Sequence, residues 1–392
     1  MTDFLKRAME LKEEAIAIRR HLHQCPEIGF ELPLTTAFIK EKLTEYGCSY
    51  REICKCGIIA DIGDPNGKVI LIRADIDALP HMEESGEPFA STNGNSHSCG
   101  HDIHCTALLI CAKMLKEIEP ELKGCVRLCF QPDEEAIHGA IEMIEKGVLE
   151  NPHVDAAISM HTKAQFPAGK YNVGKGNYLC SSDIFRVNIT GLAAHGSAPE
   201  TGIDPINIAS KVIDAVQTIQ TREINTLDPN VITFGSIHGG SAPNIIPDSV
   251  ELTGTIRCFT ASSRPVIKAR FVELIEKICA VYRANAEVEF TSTTPITYND
   301  EELCDDICRY LKEMVGETGV STLASGVKGS DDFAYFSEKV PGVMYHVGMG
   351  MPEDGYTYSL HNPHVRFDEN AIPYACAAFA QITSRWVNEH TV

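Results

Sequence analysis

The chain has 392 residues, and its 34 Lys and Arg against 54 Asp and Glu give a formal net charge of −20. Binding a phosphate backbone needs clustered cations, so we expect no nucleic-acid partner for such an acidic chain. With 44% hydrophobic residues and no apolar run of about 20 residues, the chain is predicted to be globular and not to span a membrane.

The first part of the chain alternates predicted strands and helices. Apolar residues at helical spacing predict an amphipathic helix around Leu11–Leu22. The elements predicted after it are strand Val69–Ile72, helix Thr106–Ile118, strand Val126–Phe130, helix Ala140–Lys146 and strand Val154–Met160. This order is typical of an α/β fold with a mixed, mostly parallel sheet sandwiched by helices. Ligands of such a sheet bind at the carboxyl ends of its strands.

From about Asp183 the order changes to strand, helix, strand, strand, helix, strand. The predicted elements are Ile184–Ile189, Pro205–Thr221, Val231–Ile237, Val250–Cys258, Pro265–Tyr282 and Ala286–Phe290. A βαββαβ unit is self-contained and its two ends can lie close together, so it can be inserted into another domain.

After Pro295 the α/β character returns. The predicted elements are helix Glu301–Met314, a short helix near Phe333, strand Val343–Val347 and helix Ala371–Trp386. We therefore predict two domains. Residues 1–182 and 296–392 form one α/β domain, and residues 183–295 form a βαββαβ insert.

Fifteen cysteines are scattered along the chain, and the stretch from Met1 to Arg20 has no apolar segment typical of a secretory signal. We therefore expect a cytoplasmic protein whose cysteines are reduced and mostly buried as small apolar side chains. Cys99 is the exception because of its neighbours.

The densest group of polar residues lies just before the predicted helix Thr106–Ile118. Cys99 and His101 are separated by one glycine, and a thiolate and an imidazole at this spacing can face one metal ion from a loop. His97 and His104 are equally well explained as hydrogen-bonding or helix-start residues.

Further ligand types follow two other predicted strands. Asp133, Glu134 and Glu135 come after Val126–Phe130, where three adjacent carboxylates would repel one another unless cations neutralise them. His161 directly follows another strand, and His361 lies near the end of the chain. Of the two neighbouring Glu, one can bind metal while the other accepts a proton from water. Two divalent cations could be held by Cys99, His101, Glu135, His161 and His361.

These segments occur in the order of a known family. The chain resembles the M20 metallopeptidases and, more narrowly, their amidohydrolase branch of N-acyl-amino-acid hydrolases, such as hippurate hydrolases, auxin-conjugate hydrolases and N-acetyl-diaminopimelate deacetylases. The segments that carry the resemblance are Arg20–His23 with Pro26–Phe30, Arg73–Pro80, Cys99–Asp102, Phe130–Pro132 with Glu134–Glu135, and Gly329–Phe333.

The resemblance implies roles for the residues already singled out. It makes Cys99 a thiolate that bridges two metals, Glu134 the general base, and Asp75 a carboxylate that orients the site. The remaining implied ligands are His101, Glu135, His161 and His361. Mn²⁺ or Zn²⁺ is expected, and the mixed sulfur, nitrogen and oxygen ligands also permit Co²⁺ or Ni²⁺.

The resemblance also implies roles for the insert, as a ferredoxin-like lid through which two copies dimerise. In it, His195 matches a histidine that stabilises the oxyanion in a partner subunit's site. Asn244 and Arg257 match substrate-contacting positions, with Arg257 facing the substrate carboxylate.

The expected reaction is hydrolysis of an N-acyl amino acid by metal-activated water. Alternatives are a dipeptidase or carboxypeptidase that uses the same site, a non-catalytic metal-binding protein, and a cysteine hydrolase in which Cys99 is the nucleophile and His101 its base.

Overall fold

A computed structural model describes residues 2–322 and 326–391. These residues form two compact units, the first made of residues 2–178, 298–322 and 331–391, and the second of 179–297 with 326–330. Residues Gly326–Ser330 group with the second unit, where the Cys180 thiol donates to the carbonyl oxygens of Lys328 and Gly329.

Ten α-helices and sixteen strands lie in the described residues. The helices are α1 (Phe4–Glu10), α2 (Lys12–Gln24), α3 (Pro33–Glu45), α4 (His101–Glu117), α5 (Gly139–Glu145), α6 (Pro205–Thr218), α7 (Ser263–Val281), α8 (Glu301–Val315), α9 (Ala334–Ser337) and α10 (Ile372–Glu389). The strands are β1 (Tyr50–Cys54), β2 (Gly57–Gly63), β3 (Val69–Asp75), β4 (Cys125–Gln131), β5 (Ala156–Lys163), β6 (Tyr171–Val173), β7 (Gly176–Leu179), β8 (Ser182–Thr190), β9 (Ala194–His195), β10 (Asn230–Gly239), β11 (Ile245–Ile246), β12 (Ser249–Cys258), β13 (Asn285–Thr294), β14 (Thr297–Asn299), β15 (Val320–Thr322) and β16 (Gly342–Gly348).

The first unit is built on an eight-stranded sheet in the order β1-β2-β4-β3-β5-β16-β6-β15. Its four central strands, β4, β3, β5 and β16, are mutually parallel. The pairs β1–β2, β2–β4 and β16–β6 are antiparallel. The predicted mixed, mostly parallel α/β sheet is therefore confirmed.

Burial explains why the central strands are apolar along their whole length. Every residue of β3, β4 and β16 is buried, because helices cover both faces of the sheet. One face contributes to a large core with α1–α4, α8 and α10, and α5 and α9 pack on the other. The carboxyl ends of β3, β4, β5 and β16 consequently meet at one edge.

Helix α4 begins five residues before its predicted start, at His101 rather than Thr106. The residue before it, Gly100, has a φ of +88°, and a Cβ there would lie 2.5 Å from Thr162 Oγ1. Only glycine fits this turn without strain. It directs the first turn of α4, with its polar residues, to the carboxyl edge of the sheet.

The second unit contains a four-stranded antiparallel sheet in the order β10-β12-β8-β13. Helices α6 and α7 pack on one face of it and form a separate apolar core. On β8, buried residues alternate with exposed ones, as expected for a strand covered on one face only. The observed order of elements is βαββαβ, and the function of this unit as a lid or dimerisation domain remains a prediction.

All fifteen cysteines lie in the described part of the chain, and each is a free thiol. Among the described helices, none combines the length and the apolar character that crossing a membrane requires.

Candidate metal centre

The structure brings together the five predicted ligands of the first unit. Cys99 Sγ lies 3.2 Å from His361 Nε2 and 3.5 Å from His161 Nε2. Glu135 Oε1 lies 3.5 Å from His361 Nε2 and 3.8 Å from His101 Nε2. Two groups of three ligand atoms, each within 4.8 Å of one another, share Cys99: one adds His101 and His161, and the other adds Glu135 and His361.

Four of the five candidate ligands lie near the beginning or the end of a regular element, and the fifth lies on a loop. Cys99 and His101 flank the glycine that starts α4, Glu135 follows β4, and His161 lies near the end of β5. His361 is on a loop with a φ of +65°, and its backbone N–H donates to the Ser98 carbonyl at 3.0 Å.

Two imidazoles are oriented by backbone carbonyls. His101 Nδ1 lies 2.9 Å from the Asp77 carbonyl oxygen, and His161 Nδ1 lies 2.8 Å from that of Thr162. Because a carbonyl oxygen only accepts, each Nδ1 must carry the hydrogen. In the neutral ring Nε2 then keeps its lone pair, and in both residues Nε2 faces Cys99 or the carboxylates.

The ligand atoms fit a divalent cation because several of them are otherwise unsatisfied. His101 Nε2 and Glu135 Oε1 are buried and have no hydrogen-bond partner among the described residues. A buried polar atom without a partner costs free energy, and a cation at this position would remove that cost. Thiolate, imidazole and carboxylate together suit Zn²⁺ and neighbouring transition metals.

The negative charge of the site also favours the binding of cations. Arg73 is buried and contacts three carboxylates, those of Asp75, Asp331 and Asp332. Asp77, Glu134 and Glu135 bring the number of acidic groups at this edge to six. Arg73 alone cannot balance them, so binding of divalent cations would relieve their repulsion.

The acid–base properties of the cluster reflect this imbalance. Burial, followed by repulsion from Asp331 and Glu135, raises the pKa of Glu134 well above its usual range. Burial likewise raises the pKa of Glu135 to about 7. Burial alone would lower the pKa of His101, but Asp75 and its other acidic neighbours outweigh it and raise that pKa to about 10. The cluster favours any bound positive charge, whether a proton or a metal ion.

Cys99 is not activated as a nucleophile in this environment. Burial, followed by the charges of Glu135 and Glu134, raises the pKa of its thiol well above the usual range. A catalytic cysteine needs the opposite shift, produced by nearby cations or a helix N-terminus acting on an exposed thiol. The raised pKa argues against Cys99 as the attacking group, whereas its distances of 3.2 and 3.5 Å from the Nε2 atoms of His361 and His161 favour it as a metal ligand.

His104 packs against the ligands without having a free ring nitrogen. Its Nε2 accepts from the Thr162 backbone N–H at 2.9 Å, so its Nδ1 carries the hydrogen and donates to Asp75 Oδ1 at 2.5 Å. The ring centroid of His104 lies 4.7 Å from that of His161 and 5.3 Å from that of His101. Of its two sequence interpretations, the structure supports hydrogen bonding.

Asp75 acts on the site through other residues. It binds Arg73 at 2.8 Å as well as His104. Burial would raise its pKa, but Arg73 and the imidazoles of His101 and His104 outweigh burial and hold that pKa well below the usual range. Asp75 therefore stays ionised and keeps both partners in place.

Asp77 is a functional residue that the sequence interpretation passed over. Its carboxylate accepts the backbone N–H groups of Glu134 and Glu135 at 3.1 and 3.2 Å, while its carbonyl holds His101. One residue thus positions the predicted base and two ligands. The sequence signal for Asp77 was its position in the segment Arg73–Pro80, in which Asp75 alone was given a role.

The second unit carries the three remaining predicted residues. His195 is exposed, and its Nδ1 accepts from the backbone N–H of Ser197 at 3.1 Å, which leaves the hydrogen of the neutral ring on Nε2. Asn244 is its neighbour, because β9 pairs with β11 and Gly196 N–H donates to the Asn244 carbonyl at 2.8 Å. Arg257 donates to Ser330 Oγ at 2.9 Å. The catalytic and substrate-binding roles of these residues remain predictions.

Comparison with known proteins gives consistent matches along almost the whole chain. The profile of Peptidase family M20/M25/M40 matches residues 71–385. An N-acetyl-L-cysteine deacetylase of Bacillus subtilis (strain 168) is 42% identical over 368 residues, covering 92% of this chain and 85% of the relative. The IAA-amino acid hydrolase ILR1-like 2 of Arabidopsis thaliana is 36% identical over 386 residues, covering 97% of this chain and 87% of the relative.

A solved structure also matches this chain along almost its whole length. The Bacillus subtilis YXEP protein, described as a dinuclear metal binding peptidase from the M20 family, superposes with a TM-score of 0.83 at 33% identity. The match covers 97% of this chain and 99% of that protein.

Proposed function

The chain belongs to peptidase family M20/M25/M40 and is a metal-dependent amidohydrolase, and on that premise we propose that it releases amino acids from N-acyl amino acids by cleaving their amide bond. The first relative is named for deacetylating N-acetyl-L-cysteine and the second for hydrolysing IAA-amino acids. Amino acids that carry an acetyl or an aryl-containing acyl group are therefore the substrates to test first.

One structural observation carries the proposal. Five ligand side chains converge on two groups that share Cys99, and the Glu134 carboxylate lies beside them, with Oε2 3.9 Å from His101 Nε2. A stored or structural metal needs ligands only. A carboxylate at this position, beside the ligands but not needed as one, is what a hydrolase requires to move protons.

Cys99, His101, Glu135, His161 and His361 would hold two divalent cations. When bound, such cations lower the pKa of water and polarise a substrate carbonyl. Glu134 accepts a proton from the attacking water as its oxygen adds to the acyl carbon. It then delivers that proton to the nitrogen as the C–N bond breaks, so the products are a free amine and a carboxylic acid, which releases its remaining proton to water and leaves as the carboxylate. Asp77 keeps Glu134 in place through the Glu134 backbone N–H.

His195, Asn244 and Arg257 are proposed to act on the substrate from the second unit. His195 has the tautomer suited to donate from Nε2 to a developing oxyanion, because its Nδ1 accepts from Ser197. We assign this donation to His195 of the partner subunit. The two copies would form a homodimer through their second units. Asn244 and Arg257 would contact the acyl amino acid.

The metal and the cellular location are assigned on chemical grounds. Mn²⁺ or Zn²⁺ is proposed, since the ligand set combines sulfur, nitrogen and oxygen; Co²⁺ and Ni²⁺ also fit it. The fifteen free thiols are in keeping with a reducing compartment, so the proposed location is the cytoplasm.

A panel of N-acetyl and N-aroyl amino acids tests the proposal. The protein is stripped with EDTA, reconstituted with Mn²⁺ or Zn²⁺, and assayed for release of the free amino acid. We expect turnover that disappears with chelator and returns with metal. No turnover on any member of the panel with either metal would contradict the proposed function.

A dipeptidase or carboxypeptidase would use the same metal site and forms the alternative. Assaying unblocked dipeptides beside their N-acetylated single amino acids separates the two. A peptidase would prefer the dipeptides, whereas the proposed enzyme prefers the N-acyl amino acids.

A further inference from the structure

Lys163 is a partly buried cation at the same sheet edge as the candidate metal centre, and it has no acidic partner. No described carboxylate lies within ion-pair distance of its ammonium group. Its polar contact is Asn172 Oδ1, at 3.5 Å, and its Nζ lies 4.9 Å from the centre of the Phe166 ring. Several other partly buried lysines of this unit are paired with carboxylates, as Lys113 is with Glu14, whereas Lys12 contacts Asn370 Oδ1.

The strand geometry places Lys163 next to the metal ligands. It follows His161 by two residues on β5, so both side chains project from the same face, with their Cα atoms about 7 Å apart. His346 on the neighbouring strand pairs in register with His161, and their ring centroids are 6.0 Å apart. Lys163 therefore lies on the wall of the site that holds His161.

The surroundings of Lys163 are polar and fixed. Asn172 Nδ2 donates to Ser321 Oγ at 2.8 Å, which orients its Oδ1 toward Lys163. The Tyr178 hydroxyl donates to the Asn172 carbonyl at 3.2 Å and also contacts His346. These groups are held by one another, so a ligand at Lys163 would meet a prepared polar surface.

The loop after Lys163 is tied to the loop that leads to His361. Gly350 N–H donates to the Phe166 carbonyl at 3.1 Å, and Gln165 Nε2 donates to the Thr357 carbonyl at 2.6 Å. Lys163 thus belongs to the same rim of the first unit as a predicted metal ligand.

The charges around the site indicate which kind of ligand Lys163 can bind. An N-acyl amino acid is an anion, and the six carboxylates at this edge of the sheet still outnumber the positive charges of Arg73 and two divalent cations, so a further cation would favour binding of the substrate. Arg73 cannot help, because it is buried and contacts three of those carboxylates. Lys163 is a cation on this rim whose charge is not already used.

We propose that the Lys163 ammonium binds the free carboxylate of the N-acyl amino acid and so selects substrates that carry this group. The inference rests on the proposed function and names a determinant within it. It differs from the expectation that Arg257 provides the carboxylate contact, and the test below therefore includes Arg257.

The test compares ligands with and without the carboxylate. Wild type, Lys163→Met and Lys163→Arg are assayed on an N-acetyl amino acid, and the corresponding N-acetyl amino acid amide is measured as a competitive inhibitor. Methionine keeps the length of the stem and its contact with Phe166. We expect Lys163→Met to raise KM for the carboxylate substrate about 10- to 100-fold, with a smaller change in kcat. Lys163→Arg should recover most of this loss, and the inhibition constant of the amide should change less than about twofold.

Two further variants sharpen the result. Lys339→Met removes the same charge at the opposite end of the parallel strands and should behave as wild type. Arg257→Gln tests the competing assignment on the same ligands. Equal losses for carboxylate and amide ligands, no loss in Lys163→Met, or a carboxylate-dependent loss in Arg257→Gln alone would each overturn the inference. Inactive wild-type protein would instead contradict the proposed function, and this inference with it.

Discussion

Two buried polar clusters adjoin at the start of α4, and they differ in how the charges of their carboxylates are balanced. In the first, which we call the Cys99 cluster (Cys99, His101, Glu134, Glu135, His161 and His361), ligand atoms of His101 and Glu135 face no hydrogen-bond partner among the described residues. In the second cluster, which we call the Asp102 network (Arg19, His23, Glu83 and Asp102), Asp102 Oδ2 accepts from Arg19 and from His23, each at 2.8 Å. His23 Nε2 lies 2.9 Å from Glu83 Oε1.

The comparison teaches that residue type alone does not identify a metal site. Both clusters contain buried histidines and carboxylates, and consecutive residues, His101 and Asp102, belong to different clusters. Around His23 each ring nitrogen already faces a carboxylate, and these carboxylates outweigh burial and Arg19 to raise the pKa of His23. The Asp102 network supplies its own cations, whereas beside the Cys99 cluster Arg73 alone faces six carboxylates.

His97 shows that an unpaired atom is not enough by itself. Neither of its ring nitrogens has a hydrogen-bond partner among the described residues, and burial lowers the pKa of His97 to about 3. It belongs to none of the groups of converging ligand atoms in the described structure. His97 is therefore a neutral buried imidazole and not a ligand.

The largest expected effect separates catalysis from metal binding within the Cys99 cluster. Glu134→Gln should lower kcat by about 10³-fold, within the range for loss of a general acid–base group, while the bound metal is retained. Steady-state kinetics with metal analysis of the same sample measures this. Glu145→Gln, on the exposed side of α5, is the control. Near-normal turnover of Glu134→Gln would rule out the assigned base.

The next largest effect is expected for the Asp102 network, and it tests whether this network stabilises the fold. Asp102→Asn removes the anion shared by Arg19 and His23 and should lower the free energy of unfolding by about 3 kcal/mol, since breaking a buried ion pair leaves charges uncompensated. Urea unfolding followed by circular dichroism gives the value. Asp214→Asn, at an exposed position of α6, should change it little. If Asp102→Asn were as stable as wild type, the network would not have this structural role.

A smaller effect is expected for the residue that packs between the ligands. His104→Gln removes the ring lying against His101 and His161 and should weaken metal affinity about 10- to 100-fold, as loss of an outer contact of a metal ligand does. At saturating metal, kcat should stay within a few-fold of wild type. A titration of metal-free protein measures this, with exposed His153→Gln as control. Unchanged affinity would show that His104 does not position the ligands.

The smallest effect is expected for an exposed network in which one carboxylate accepts hydrogen bonds from three side chains. At the end of α10, Glu389 accepts from Arg309, Arg385 and Tyr310, with Arg309 the main cause of a pKa lowered to about 2. A carboxyl with a lowered pKa stabilises the fold above its ordinary pKa of about 4.5 and loses that contribution as pH falls toward 2.

Glu389→Gln should therefore cost about 1 kcal/mol at pH 7, because surface ion pairs contribute little. The difference from wild type should shrink as pH falls below 4.5. Urea unfolding at pH 7, 4.5 and 3.5 measures it. A cost that is constant over this pH range would mean that the charge of Glu389 does not matter.

The sheet could be predicted from the sequence where strands are buried on both faces. Val69–Ile72 and Val343–Val347 are apolar along their length and lie inside β3 and β16. The antiparallel pair β1–β2 and helix α3 escaped prediction. Three of the five residues of β1 are exposed, so it lacks a clear apolar pattern. Polar residues in the first turn of α4 hid its start, because they belong to the two polar clusters instead of the apolar core.

The convergence of the candidate ligands could be expected from the sequence, but the contacts that hold them could not. Cys99, His101, Glu135, His161 and His361 were recognisable as ligand types in familiar motifs. The part played by Asp77 depends on a backbone carbonyl and on two backbone N–H groups, which any residue type could supply. The roles of His97 and His104 were undecidable from spacing, because they depend on which tertiary partners their ring nitrogens meet.

The most direct test of the central claim is the metal content of three purified proteins after identical stripping and reconstitution. Wild type should retain two divalent ions per chain, Cys99→Ala should lose most of them because both ligand groups share Cys99, and Asp102→Asn should match wild type. Elemental mass spectrometry gives the count. Two ions retained in Cys99→Ala, or none bound by the wild type, would contradict the account.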